Sequence, residues 1–177
     1  MFNIDSTMLI VIDLQEKLAH AMHESSFIIE NLQKLIQGAQ FLQVPVRLTE
    51  QVNLGPTIAT IAEHLTGTEP FQKRSFNCCG EEGFLRELEK LHRNQVLIAG
   101  IECHICVHQT AVDLVQRGYE VQVVADCVSS RTAMNRSIGL DRMQSEGVTI
   151  SSTEMALFEL LKVAEGEGIR HISRLVK

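Results

Sequence analysis

Residues 95–125, QVLIAGIECHICVHQTAVDLVQRGYEVQVVA, carry the pattern that decides the fold. The run QVLIA at 95–99 is short, apolar and β-branched, which is typical of a strand buried on both faces. A helix is predicted over about 106–116, because the Arg-Gly pair that follows supplies a cation in the last turn and a glycine stop. The run VQVVA at 121–125 predicts the next strand. This stretch therefore forms one strand–helix–strand unit.

The same alternation of strand and helix patterns continues in both directions along the chain. Strands that alternate with helices at this spacing predict a parallel sheet with helices on both faces. We therefore predict a single domain over residues 1–177, with a doubly wound, three-layer α/β/α fold and a mainly parallel sheet of about six strands. The other predicted strands are 8–12, 44–48 and 148–150, and the other predicted helices are 26–42, 57–65, 81–92, 133–145 and 153–163, with a last helix or turn in 169–176.

The composition is that of an ordinary globular protein. Of the 177 residues, 45% are hydrophobic and 21% are charged. A domain of this size buries enough surface to fold without disulfides or a structural metal. No apolar run approaches the roughly 20 residues of a membrane span, and we recognise no secretory signal at the N-terminus. We therefore expect a cytoplasmic protein whose five cysteines are thiols.

Charge and aromatic content exclude some classes of partner. The chain has 16 Lys and Arg against 22 Asp and Glu, a formal net charge of −6, whereas nucleic acids and anionic membranes require a positive surface. Trp is absent and Tyr119 is the only tyrosine, so no platform for base stacking is expected. The Gly-rich fingerprints of nucleotide cofactors are missing after every predicted strand. The expected partner is a small-molecule substrate, and neither nucleic acid nor membrane.

Candidate functional residues follow the predicted strands, where ligands bind in an open parallel sheet. Cys106 lies where the segment after QVLIA becomes a helix, and free N–H groups and the helix dipole stabilise a thiolate there. The same N–H groups could receive an oxyanion. Asp13 directly follows the first strand, so it is either functional or a cap. Gln15 and Gln51 are candidate substrate-binding residues, and a buried structural thiol is the alternative interpretation of Cys106.

Other residue patterns are compatible with different chemistry. Cys103 and Cys106 form a CxxC motif, which thiol–disulfide exchangers also use, although here it lies in the middle of a larger sheet. Cys78 and Cys79 are adjacent, with no second Cys or His pair nearby, so no zinc site is expected. Lys73 lies between apolar residues in FQKRSF. The alternative to a functional role for Lys73 is an ordinary solvated lysine.

Three motifs, taken in order, resemble the isochorismatase-like hydrolase superfamily, also called cysteine hydrolases, which includes nicotinamidases and N-carbamoylsarcosine amidohydrolases. They are VIDLQEK around Asp13, FQKRSF around Lys73, and GIECHICVHQTAVDLVQRGYEV around Cys106. The resemblance covers essentially the whole chain. The segments LTEQ at 48–51 and LGPT at 54–57 are similar to the isochorismatase-domain-containing subgroup.

The resemblance implies an Asp–Lys–Cys catalytic triad. Cys106 would be the nucleophile, Asp13 the general base that takes its proton, and Lys73 the cation that stabilises the thiolate and lowers its pKa. The resemblance also implies a non-proline cis peptide bond at Ile101–Glu102 and an oxyanion hole made by the backbone N–H groups of Glu102 and Cys106. Members of this superfamily are usually homo-oligomers, so a homo-oligomer is expected.

The resemblance also bears on metal and substrate. Nicotinamidases hold a metal through an aspartate and histidines between the second strand and the lysine, where this chain has only His64, in a predicted helix. We therefore expect no metal and no other cofactor. The predicted function is a metal-independent cysteine hydrolase that cleaves C–N bonds, other than peptide bonds, of a small amide or related acyl compound through a thioester. The alternatives are vinyl-ether hydrolysis of the isochorismatase type by Asp13 with Cys106 idle, thiol–disulfide exchange by Cys103 and Cys106, and a non-catalytic family member.

Overall fold

The computed structural model describes all 177 residues and contains a six-stranded sheet in which every pairing is parallel. Its strands are β1 (Thr7–Ile12), β2 (Val46–Gln51), β3 (Phe71–Lys73), β4 (Gln95–Ile101), β5 (Glu120–Ser129) and β6 (Thr149–Ser151). Their order across the sheet is β3-β2-β1-β4-β5-β6. The chain therefore runs outward from β1 to one edge, returns beside β1, and runs outward to the other edge. This is the predicted doubly wound α/β arrangement.

Helices cover both faces of the sheet. One face is packed by α2, α3, α7 and α8, and the other by α4, α5 and α6. The structure contains no helix that is both long enough and apolar enough to cross a bilayer. The helices are α1 (Glu16–Ala19), α2 (Ser25–Phe41), α3 (Ala59–Ala62), α4 (Glu82–Glu89), α5 (His108–Gln116), α6 (Ala133–Ser145), α7 (Thr153–Leu161) and α8 (Gly166–Leu175). Single turns of 3-10 helix lie at Glu63–Leu65 and Cys78–Gly80, and a π-helical turn at Cys103–Val107.

The two central strands are buried on both faces, which explains their continuous apolar sequences. All six residues of β1 and all seven of β4 are buried. Side chains alternate between the faces of a strand, so Leu9 packs against one helical layer and Ile10 against the other. The sheet therefore has a core on each side, and the central strands are the most rigidly held part of the molecule.

The carboxyl ends of β1 and β4 come unusually close together. Gly100 has a φ of 116°, and a Cβ at this position would lie 2.1 Å from the carbonyl oxygen of Ile12. Only glycine fits such an approach. One residue after Ile12, the chain leaves the strand at Asp13, whose φ of 52° is in the left-handed region. These two backbone features set where the residues after β1 and β4 lie.

The structure corrects several predicted elements. The sequence pattern does not predict β3, because this strand has three residues and pairs with β2 alone. The strand predicted over 44–48 begins two residues later, at Val46, because Pro45 has no N–H to donate. The helix predicted over 106–116 is α5 preceded by the π-helical turn, so Cys106 lies in that turn.

Candidate active site

Asp13 and Lys73 form a buried ion pair at the carboxyl edge of the sheet. Asp13 follows β1 and Lys73 ends β3, so the pair reaches across the intervening strand β2. Lys73 Nζ lies 2.6 Å from Asp13 Oδ2, and the two side chains are 0% and 1% exposed. Because an unpaired charge in such a place is strongly unfavourable, each residue requires the other.

The Lys73 ammonium is fully engaged inside the protein. Its Nζ donates to Gln51 Oε1 at 2.8 Å and to the carbonyl oxygens of Ser75 and Phe76 at 3.1 and 3.4 Å. Together with the Asp13 carboxylate, these make four oxygen neighbours for a group that has three N–H donors. Lys73 therefore has no donor left for a bound substrate, and it acts on the site through its charge.

The two oxygens of Asp13 have different surroundings. Oδ1 accepts a hydrogen bond of 2.7 Å from Thr49 Oγ1, on β2. Oδ2 is close to Lys73 Nζ but accepts no hydrogen bond of suitable angle. The carboxylate is thus fixed on one side by Thr49 and held by charge on the other. Lone pairs of Oδ2 remain able to accept a proton.

Cys106 lies beside this ion pair, on the π-helical turn Cys103–Val107. It is buried, and it lines a cavity together with Asp13. Burial raises the pKa of the Cys106 thiol to about 12. Lys73 lowers this pKa, while the charge of the nearby Asp13 carboxylate raises it. The low pKa expected from the sequence is therefore wrong, because burial outweighs a cation that is already paired with Asp13.

Glu102 connects β4 to this turn. The Ile101–Glu102 peptide bond is cis, at the position that the resemblance implies. The backbone N–H of Glu102 donates no hydrogen bond within the protein, so it is available to a ligand. The Glu102 carboxylate is engaged, because its Oε2 accepts hydrogen bonds from Arg131 N at 3.1 Å and Arg131 Nε at 3.2 Å.

The two glutamines predicted to bind substrate differ in their surroundings. Gln15 Nε2 donates to the carbonyl oxygens of Gln51 and Gly55 at 2.9 and 2.6 Å, and its Oε1 accepts from Gln51 N at 2.8 Å. Gln15 therefore holds the loop after β2 and is not among the residues that line the cavity, and its substrate-binding role stays a prediction. Gln51 does line the cavity, but its Oε1 contacts Lys73 and its Nε2 donates to Arg74 O at 2.8 Å.

The cavity beside Cys106 is small and largely apolar. Its volume is about 60 Å³, less than half that of an engineered apolar cavity of about 150 Å³ that admits benzene. Phe76 is 57% exposed and lies at its opening. The lining consists of Asp13, Leu18, Gln51, Leu54, Phe76, Glu102, Ile105 and Cys106.

Residues 7–155 match the sequence profile of the Isochorismatase domain. The chain belongs to this family. The isochorismatase-domain relatives include the "Secreted isochorismatase effector Isc1" of Phytophthora sojae, which is 35% identical over 97% of this chain and 85% of its own length. They also include "Isochorismatase domain-containing protein 2B" of Mus musculus, 35% identical over 98% of this chain and 82% of its own length.

Solved structures of other proteins have the same fold. A protein described as MAR1 ribonuclease from Caenorhabditis elegans superposes with a TM-score of 0.92 over 99% of this chain and 91% of its own, at 33% identity. A cysteine hydrolase from Pseudomonas syringae superposes with a TM-score of 0.76 over 98% of this chain and 95% of its own, at 17% identity. The predicted family and fold class are therefore confirmed.

Two residues at the site are not predicted from the sequence. Thr49 donates a hydrogen bond to Asp13, and Cys78 lies near Lys73. The predicted strand ends at residue 48, whereas β2 extends to Gln51 and directs the Thr49 hydroxyl at Asp13. Cys78 is fully buried, and its pKa is raised to about 11 by burial and lowered in part by Lys73. Thr49 could have been found from its position, because it lies beside Asp13 in adjacent parallel strands. Nothing in the sequence marks Cys78 as a neighbour of Lys73.

The first cysteine of the CxxC motif, Cys103, is not among the residues that line the cavity. Cys103 is fully buried, and its Sγ contacts the carbonyl oxygen of Arg136 at 3.6 Å. Burial raises its pKa to about 12. An exchanger needs at least one exposed, acidic thiol, and neither Cys103 nor Cys106 is one. No group of three or more His, Cys, Asp or Glu side chains is placed to hold a metal ion.

Proposed function

We propose that the protein is a metal-independent cysteine hydrolase that cleaves small amides or related acyl compounds through an Asp13–Lys73–Cys106 triad. The observation that carries the proposal is the fully buried Asp13–Lys73 pair beside a thiol in a cavity. Perturbed titratable groups that converge on a cavity are typical of active sites. Family membership supports hydrolysis as the reaction class.

The raised pKa of Cys106 determines how the thiol is activated. A thiol with a pKa of about 12 is protonated at neutral pH, so no thiolate exists before the substrate binds. Asp13 Oδ2 takes the thiol proton as Sγ attacks the carbonyl carbon, in general-base catalysis. Lys73 lies beside the Asp13 carboxylate throughout this step, with its Nζ 2.6 Å from Oδ2. During the transfer, the charge of Lys73 stabilises the negative charge that develops on Sγ.

The remaining steps use the same groups. The tetrahedral oxyanion accepts hydrogen bonds from the backbone N–H groups of Glu102 and Cys106. As the C–N bond breaks, Asp13 returns the proton to the leaving amine, and an acyl thioester remains on Cys106. Asp13 then takes a proton from water, which attacks the thioester, and the acid product leaves as the thiol is reprotonated. Atoms and charges balance, and the enzyme is regenerated.

The experiment compares the wild type with Cys106→Ala and Asp13→Asn on a panel of small amides. We expect both variants to lose at least about 10³-fold in kcat/KM, since a nucleophile and its base act as a unit. A Cys106-linked acyl adduct should be detectable by mass spectrometry after acid quench of the wild type. The matched control is Cys103→Ala, which should retain activity.

Two alternatives predict other results. Hydrolysis that persists in Cys106→Ala would contradict the nucleophile assignment and would favour vinyl-ether chemistry by Asp13 alone. Loss of turnover in Cys103→Ala would favour thiol–disulfide exchange.

The description of the Caenorhabditis elegans protein as a ribonuclease does not fit this site, because none of the cavity-lining residues is Lys, Arg or His and RNA binding requires cations.

We also propose that the protein is a cytoplasmic homo-oligomer. All five cysteines are free and buried, as expected for a reducing compartment. Met134 and Ile138 lie one turn apart on α6 and are 72% and 48% exposed, so they offer an apolar surface to a second copy. Sedimentation velocity of the wild type and of Met134→Glu tests the oligomer, and a monomeric wild type would contradict it.

A further inference from the structure

We infer that the cavity beside Cys106 takes short, uncharged aliphatic acyl compounds and rejects anionic and aromatic ones. This substrate class rests on the proposed function, since it names what the proposed hydrolase acts on. It is carried by three observations: the charge balance of the cavity, its volume, and the apolar side chains that form its outer half.

No residue that lines the cavity is a cation. The eight lining residues include two carboxylates and no basic side chain. Lys73 lies behind the lining with all of its donors engaged. The Arg131 side chain is 59% exposed and outside the lining, and its Nε donates to Glu102 Oε2. A substrate carboxylate inside the cavity would therefore lose its water beside two carboxylates, with no cation in the lining to bind it, which is strongly unfavourable in a buried site.

The two carboxylates of the cavity are already compensated. Asp13 is paired with Lys73 and Glu102 with Arg131, so these four groups have no net charge. A substrate anion would add a third negative charge to two cations and would be repelled by the carboxylates around it. A substrate ammonium would compete with Lys73 or Arg131 for a carboxylate. An uncharged ligand disturbs neither pair.

The volume and the apolar lining limit the acyl group. An engineered cavity of about 150 Å³ is known to admit benzene, and this cavity has about 60 Å³. Its outer half is formed by Leu18, Leu54, Phe76 and Ile105. Each methylene buried there should raise kcat/KM about fourfold until the cavity is full. A short alkyl chain therefore fits, and an aromatic ring does not.

Phe76 sets the outer limit of the cavity. Its loop is fixed by Glu81, whose Oε1 accepts hydrogen bonds from Arg74 N, Ser75 N and Ser75 Oγ at 2.9, 3.0 and 2.6 Å. These bonds lower the pKa of Glu81 to about 2, so the carboxylate that holds the loop is ionised at neutral pH. The Phe76 ring therefore stands at the opening on a fixed backbone, as a specificity-determining side chain.

Charge selectivity can be tested without turnover, by alkylation of Cys106. Iodoacetamide and iodoacetate have nearly the same size and differ in charge, and each rate is divided by its rate at Cys106 in the urea-unfolded chain. We expect the ratio of the two normalised rates, iodoacetamide over iodoacetate, to be at least about ten, because burying the unpaired charge of iodoacetate costs free energy. A ratio near one, or one that favours iodoacetate, would overturn the inference.

A cation placed in the lining should reverse this preference. Leu54 is partly exposed and lines the cavity, so Leu54→Lys is expected to fold and to bring the normalised ratio to one or below. The matched control is Val163→Lys, which adds the same charge at a position that is 58% exposed and outside the lining. It should leave the ratio as in the wild type. An unchanged ratio in Leu54→Lys would contradict the charge argument.

Size selectivity is tested by hydrolysis of propionamide, butyramide, benzamide and the anion succinamate. We expect butyramide to exceed propionamide by about fourfold in kcat/KM, and the other two to be the poorest substrates. Phe76→Ala should increase benzamide hydrolysis relative to butyramide by about tenfold or more. Phe27→Ala removes an equally exposed ring outside the lining and should not. Benzamide or succinamate as the best wild-type substrate would overturn the inference.

The two proposals fail in different ways. A preference for iodoacetamide at Cys106 without hydrolysis of any amide would contradict the hydrolase and support an uncharged ligand. Hydrolysis that depends on Cys106 but favours succinamate would support the hydrolase and contradict the substrate class.

Discussion

The two ends of the sheet differ in the space they offer and in the chemistry they bring together. At the amino ends of β4 and β5 lies a cleft of about 620 Å³, whereas the cavity at the carboxyl ends of β1 and β4 has about 60 Å³. Most residues that line the larger cleft are polar or charged by type, and most of those that line the smaller cavity are apolar. The cleft at the amino ends is lined by Leu85, Glu89, His92, Arg93, Asn94, Arg117, Gly118 and Tyr119.

Charges at the two ends are also held differently. In the cleft, Arg117 pairs with Asp113 on its own helical segment, and the side chains are 44% and 24% exposed. Arg93 donates to the carbonyl oxygens of Ile4 and Thr7. At the small cavity, the ion pair joins two strands and is out of contact with water. Buried, complementary groups therefore converge at the small cavity and not at the large cleft, and such convergence is a feature of functional sites.

The largest difference between the two ends should appear on removal of a cation. We expect Lys73→Met to lower the free energy of unfolding by about 3–5 kcal/mol, because it leaves the Asp13 carboxylate buried and unpaired. Arg117→Met should leave the urea midpoint almost unchanged, because an exposed pair is screened by solvent. An equal loss of unfolding free energy in the two variants would contradict this difference between the buried and the exposed ion pair. Urea unfolding followed by circular dichroism measures both.

The next effect concerns the hydrogen bond that fixes Asp13. Thr49→Val keeps the shape of the side chain and removes the donor to Asp13 Oδ1. We expect a loss of about 1.5–3 kcal/mol, as for hydrogen bonds to charged groups, and a fall of about tenfold in kcat with little change in KM. Thr149→Val, at an exposed position of β6, is the control. A thermal midpoint equal in both variants would show that Thr49 does not hold the carboxylate.

The smallest expected effect is a loss of stability at alkaline pH, caused by the Cys106 thiol. The folded-state pKa of Cys106 is raised from 9.0 to about 12, so above pH 9 the folded protein binds more protons than the unfolded chain and stability falls as pH rises. Below pH 9 the contribution is fully present. Between pH 9 and 10.5, the wild type should lose on the order of 1–2 kcal/mol more than Cys106→Ala. Urea unfolding at each pH measures this loss, and the same pH dependence of the free energy of unfolding in both proteins would contradict the raised pKa.

Most of the fold could be predicted because its central strands are buried on both faces. Such strands have continuous apolar sequences, as in MLIVI and QVLIA, which few other structures produce. The strand β3 could not be found in this way. It consists of FQK, has one neighbour, and owes its conformation to pairing with Thr49–Gln51 of β2. Its pairing depends on distant residues, which local patterns do not report.

The candidate site could be predicted only in part, for similar reasons. Asp13 and Cys106 follow apolar strands, so the topology rule alone places them at one edge. Lys73 entered through the resemblance, because nothing local shows that its side chain reaches past β2 to Asp13. The predicted direction of the Cys106 pKa shift was wrong because the resemblance places a cation near the thiol, whereas the extent of its burial is not visible in the sequence.

The position of β3 has a consequence for how the protein loses activity. This three-residue strand lies at the margin of the sheet, where local opening requires less free energy than global unfolding. Fraying of β3 would withdraw the ammonium from its carboxylate while the inner strands stayed paired. On gentle heating, catalysis should therefore cease first, in molecules that still look native by spectroscopy and that recover on cooling.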